Sequence, residues 1–115
     1  MSCMESRSRS TKEACEAFIS LVEAGEYYEA HEALEEIWYP RRFEAGDEIL
    51  LIKGFINASV AFELLRRGRR HPAEKTWQVY LKYRPLLERL DSPRTPLYRR
   101  IETVLERRYE QLFRT

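Results

Sequence analysis

Apolar residues recur along this chain with a helical period, and glycines and prolines punctuate them. Ala14, Cys15, Phe18, Leu21 and Val22 follow a Ser10-x-x-Glu13 capping box and stop at Gly25, which predicts a first helix over about 11–24. The next stretch, YYEAHEALEEIW from Tyr27 to Trp38, runs into Pro40; it predicts a second helix over about 26–39, antiparallel to the first across a short turn. Asp47 suits the N-cap of a third helix, ILLIKGFINASVAFELLRRG, apolar on nearly every side and closed by Gly68. Such a helix belongs at the centre of a core. Its Gly54, Ala58 and Ala61 form a small-residue strip that admits a close neighbour, expected to be helix two. Pro72 fits the first position of a fourth helix bearing Trp77, Tyr80 and Tyr83, and Pro85 must kink or split that helix. Thr95 and Pro96 read as cap and first turn of a fifth, whose stripe is Leu97, Ile101, Leu105, Tyr109 and Leu112. The fold class is therefore all-α: a compact bundle of about five helices around an apolar helix three, with one domain over 11–115 and a flexible tail over 1–10.

Composition narrows this picture. A chain of 115 residues has room for one core. With 43% hydrophobic and 12% aromatic residues and a net charge of +1, it is neither disordered nor a global polyanion binder. No apolar run reaches the roughly 20 residues a membrane-spanning helix needs, and the start MSCMESRSRSTKE lacks the apolar segment of a secretory signal. The expectation is a cytoplasmic protein with no membrane contact. Cys3 in the tail and Cys15 in helix one read as reduced thiols, not a disulfide framework.

Candidate chemistry concentrates in the second helix. At 3.6 residues per turn Tyr27, His31, Leu34 and Trp38 share one side, while Glu29, Glu32 and Glu36 gather on the opposite, solvated one. Glu35 stands one turn from His31, within reach of it, and would fix the tautomer of the imidazole. Lys53 and Asn57, a turn apart on greasy helix three, either reach a helix edge or line the same pocket. His31, Glu35, Trp38, Lys53 and Asn57 thus make up the candidate ligand-binding set. His31-Glu32 also begins like the H-E-x-x-H zinc helix, but the fifth residue is Glu35; no metal site is expected. Nor is a cofactor expected, since Gly-rich phosphate loops, nucleophile elbows and Cys/His dyads are all missing from the sequence.

Gly25, Tyr27-Tyr28-Glu29-Ala30-His31-Glu32, Glu35 and Trp38, followed by Lys53-Gly54-Phe55-Ile56, Ala58, Ala61 and Arg67-Gly68, resemble the pattern of the domain of unknown function 309 family over about 25–80. The resemblance implies a small all-helical bacterial or archaeal domain with no established activity. Asn57 and Glu63 depart from it, standing where glutamine and histidine are frequent, which makes a two-histidine metal site less expected here. The segment after Leu90 falls outside it.

Three functions from different classes remain. The favoured one is a non-catalytic ligand-binding or protein-interaction module with a pocket around His31, Glu35 and Trp38. A second is a hydrolase-type enzyme using His31 and Glu35 as acid and base, metal-assisted or not, for which the sequence supplies no complete catalytic constellation. The third, nucleic-acid binding through Arg66, Arg67, Arg69 and Arg70, competes with the simpler role of arginines at a helix C-terminus, which offset its dipole; nucleic acid is therefore not the expected partner. A homodimer is expected, because helix three and the stripe of helix five offer more apolar surface than a small bundle hides.

Overall fold

The computed structural model describes residues 10–114. The tail expected over 1–10, with Cys3, lies outside the described residues except for Ser10. Five α-helices follow one another: α1 (Thr11–Glu23), α2 (Tyr27–Trp38), α3 (Asp47–Arg66), α4 (Arg70–Tyr83) and α5 (Thr95–Phe113). Short 3-10 turns at Tyr39–Arg41 and Arg84–Glu88 close α2 and α4, and the described residues contain no strand. None of these helices is long and apolar enough to cross a membrane.

Local sequence sets each start and stop. In α1 the capping box is present: the Glu13 amide donates to Ser10 Oγ at 3.1 Å, and the Ser10 amide donates to Glu13 Oε1 at 3.0 Å. Gly25 takes the positive φ (80°) that lets the chain reverse into α2 within three residues, and α1 and α2 pack as a hairpin. Three caps differ from expectation. Asp47 is the first helical residue of α3 rather than its cap, and its carboxylate accepts from Arg89 Nε at 2.9 Å. Pro72 is third in α4; the first turn has no intrahelical use for its amides, so a proline is tolerated there as readily as one position earlier. Thr95 opens α5 with its hydroxyl donated back to the Ser92 carbonyl at 2.9 Å, and Arg94 occupies the cap.

Helix α3 is the hub. Eleven of its twenty residues are buried, and it packs against α2, α4 and α5. At Gly54, however, the small-residue strip meets α4: a Cβ there would stand 3.1 Å from Tyr83 Cβ and 3.7 Å from the Tyr80 backbone. Periodicity identifies which face of a helix is small but not which neighbour it meets. The α4–α5 end is an aromatic stack, with Tyr109 lying 4.3 Å from Trp77 at 13° and 4.4 Å from Phe113 at 20°. Ile101 and Leu105 are fully buried, and Leu97, Tyr109 and Leu112 pack on the same core. The stripe that suggested a dimer is thus turned toward the protein's own core.

Candidate functional site

The α1–α2 turn delivers Tyr27 to the core, edge-on to Phe62 of α3 at 5.3 Å, and this contact anchors the first turn of α2 on α3. Tyr28, one residue on, points away and stays half exposed, its ring 5.0 Å from that of His31. His31 is only 18% exposed. Its Nδ1 lies 2.7 Å from the Tyr28 carbonyl, which can only accept; the proton therefore sits on Nδ1 and leaves Nε2 for outside partners. Glu35 does not fix the tautomer, as the sequence suggested. It stands 3.6 Å from Nε2, an ion-pair distance that attracts only when the ring is protonated.

Opposite His31, helix α3 carries Val60, Glu63, Leu64 and Arg67 at helical spacing, and together with Tyr27, Tyr28 and His31 these enclose a cleft of about 260 Å³. Glu63 is the unusual member, a buried carboxylate in an apolar helix. It is satisfied by its own helix: Arg66 donates from Nε (3.0 Å) and Nη2 (2.7 and 2.8 Å), and Arg67 from Nε at 2.7 Å. Burial works against its charge, but the two guanidinium groups outweigh burial and hold the carboxyl below the usual carboxylate range. Burial also pushes the Tyr27 phenol up, with Arg108 and Arg66 partly offsetting it. Arg66 further feels the charges of Glu26 and Glu29. Arg67 is engaged through Nε alone, so its terminal nitrogens have no hydrogen-bond partner among the described residues.

The five residues named from the sequence are thus distributed over four places. His31 lines the cleft. Glu35 lies next to His31 but borders a separate, shallow groove with Glu32, Glu36 and Tyr39. Trp38 is half buried at the end of α2, its ring 6.5 Å from that of Tyr39. Lys53 reaches over the Tyr83 ring at 5.8 Å, and the Asn57 side-chain amide donates to the Lys53 carbonyl at 2.9 Å; both sit on the partly exposed strip of α3 that continues into Val60 and Leu64. Glu63, Arg67 and Tyr28 are the cleft residues the sequence reading passed over. Their signal was available: a lone glutamate inside FELLRR with arginines three and four residues later is a local ion-pair pattern.

The basic run after α3 is mostly engaged within the chain. Besides the Glu63 pairs, Arg70 donates to Glu74 at 3.2 Å and to the Phe113 carbonyl at 2.7 Å. Among the described residues no three His, Cys, Asp or Glu side chains gather as a metal-binding group. The family model described as domain of unknown function, DUF309, matches residues 15–76, from α1 through the first half of α4. No curated protein and no solved structure matches the chain.

Proposed function

The chain belongs to the DUF309 family of domains of unknown function, and because that membership names no reaction, we propose that the protein is a non-catalytic binding module. Its His31 cleft takes a small molecule that combines an apolar body with a carboxylate. The observation that carries this reading is Arg67, whose terminal nitrogens are free beside an apolar slot because Glu63 holds only its Nε. Val60, Leu64 and the Tyr28 ring offer the apolar walls, and a guanidinium face matches a carboxylate in plane and charge. His31 Nε2, 3.6 Å from the Glu35 carboxylate, supplies a second donor when the ring is protonated. In this reading Glu35 acts through His31, while Trp38, Lys53 and Asn57 hold the helices that frame the cleft.

Phenylacetate and its neutral isostere phenylacetamide test the proposal by titration into isotopically labelled protein. Phenylacetate is expected to shift the resonances of Tyr28, His31, Val60, Leu64 and Arg67 in a saturable way, with the amide at least tenfold weaker. Equal binding of the two, or shifts confined to other parts of the molecule, overturns the carboxylate reading.

A further inference from the structure

Helix α1 separates two grooves of opposite charge. On its α2 side, Leu21 and Ala33 together with Glu29, Glu32 and Glu36 line a groove of about 400 Å³. On its α5 side, Ile19, Thr103 and Val104 together with Arg99, Arg100 and Arg107 line one of about 360 Å³, in which Glu23 is the single carboxylate. Arg99 is paired with Glu88 and Glu102. Glu29, Glu32, Glu36, Arg100 and Arg107 are all exposed, and, like several other surface charges, none of them makes a hydrogen bond or ion pair among the described residues. Glu29 only adds to the field at Arg66.

The two sets match in spacing. Glu29 and Glu36 are seven residues apart on α2, Arg100 and Arg107 seven apart on α5, each pair two helical turns or about 10.5 Å. They also match in height. The hairpin makes α2 antiparallel to α1, whereas α5 runs parallel to it, since Arg94 and Tyr98 lie near Cys15 and Arg108 donates to the Glu23 carbonyl at 3.0 Å. Glu29 and Arg107 therefore flank the last turns of α1, and Glu36 and Arg100 its first ones. The strip of α1 between the grooves is Ala17, Ser20 and Ala24, small enough for another helix to lie close. Glu13, further along that strip, is drawn into the capping box.

We propose that this face is where two copies of the chain meet, about a two-fold axis running along α1, so that the acidic groove of each copy covers the basic groove of the other. Rotation about that axis preserves height and exchanges sides. Glu29 of one copy meets Arg107 of the other, Glu36 meets Arg100, and every contact is made twice. An axis across α1 would stack acid on acid and is excluded by the same charges. A nucleic-acid strand fits less well. It would meet Glu23 within the basic groove and three unpaired glutamates one helix away, on a chain whose net charge is only +1.

Sedimentation of the full chain across micromolar concentrations tests the interface. The wild type is expected to approach twice 13.8 kDa and to dissociate as salt rises. Arg100→Glu with Arg107→Glu, and separately Glu29→Lys with Glu36→Lys, should each raise the dissociation constant by about tenfold or more. Mixing the two variants restores both contacts at once, so the mixture is expected to dimerise again. That recovery distinguishes broken pairing from broken folding. A wild type that stays monomeric, a dimer indifferent to both reversals, or a mixture that stays monomeric overturns the proposal, as does a monomer that binds duplex DNA through Arg100 and Arg107.

Discussion

Two carboxylates of α3, Glu48 at its start and Glu63 near its end, are both held by arginines, yet they serve different ends of the argument from structure to function. Glu48 draws its partners from far along the chain. Arg94 Nε donates to it at 2.8 Å, Ser92 Oγ at 3.4 Å, and the fully buried Tyr98 hydroxyl donates to the same oxygen. Cys15 lies in the same neighbourhood, and burial pushes its thiol up to about 12. This group staples the start of α5 to the start of α3, with partners that stand 44, 46 and 50 residues from Glu48 along the chain. Glu63 draws its partners from its own next turn, and the arginines that satisfy it remain about three-fifths exposed. One of them keeps free donors beside a cleft. The same pair of residue types is a fastening where the partners come from distant parts of the chain, and a candidate site where they are local and line a cleft.

The largest test of that contrast is removal of each carboxylate. Glu48→Ala leaves the Tyr98 hydroxyl buried without its acceptor and Arg94 without its counter-charge. The expected loss is about 3 kcal/mol, at the low end for a broken buried pair because Arg94 is partly exposed. Glu63→Ala frees two arginines that can turn to water, so its cost should be about 1 kcal/mol. Denaturant unfolding of the two variants compares them directly, and equal losses would erase the distinction between fastening and site.

Acid sharpens the comparison at a smaller scale. Burial opposes the charge of Glu48, but hydrogen bonds from Arg94 and Tyr98 prevail and hold its carboxyl below the usual range, as Arg66 and Arg67 do for Glu63. A depressed folded-state value contributes stability that is complete above the ordinary carboxylate range and is lost as pH falls through the lower, folded value. The two contributions should differ, because i+3 and i+4 pairs survive partly in a helical denatured chain whereas partners 46 and 50 residues away do not. Glu48→Gln is therefore expected to flatten the acid limb of the stability curve more than Glu63→Gln does. The reverse order would mean that the α3 C-terminal pairs form only in the folded state.

Legibility followed the same division between local and distant. The Ser10–Glu13 box, the hairpin at Gly25, the inward face of α2 and the aromatic and aliphatic stripe of α5 are all written within a turn or two of sequence, and each is present. The neighbour of Gly54 is not written locally, because a helix face does not name the helix that covers it; it proved to be α4. Tyr98 reads as one more residue of a stripe, and only the fold brings its hydroxyl to Glu48. In the cleft, His31 was legible from its inward position. Glu63 and Arg67 were readable as an ion-pair pattern, but the arginines drew attention first as a basic run at a helix end, where they are commonplace.

The smallest expected effect on stability is also the most informative about the site. Arg67 is 62% exposed on its side chain and shares Glu63 with Arg66, which alone makes three of the four hydrogen bonds to that carboxylate. Removing the Arg67 charge therefore leaves Glu63 satisfied, and Arg67→Gln should change unfolding free energy by no more than about 0.5 kcal/mol. If the terminal nitrogens of Arg67 are what a carboxylate meets in the cleft, the same substitution should abolish the preference for phenylacetate over phenylacetamide. Arg67→Lys should keep part of it, since a point charge attracts a carboxylate without matching its two oxygens. Arg66→Gln provides the complement: it should cost more stability than Arg67→Gln because it removes those three hydrogen bonds, yet leave the ligand preference in place. Titration and unfolding of these three variants separate the donor that holds the fold from the donor that faces the cleft, and a preference lost with Arg66 but kept without Arg67 would move the site to the other side of Glu63.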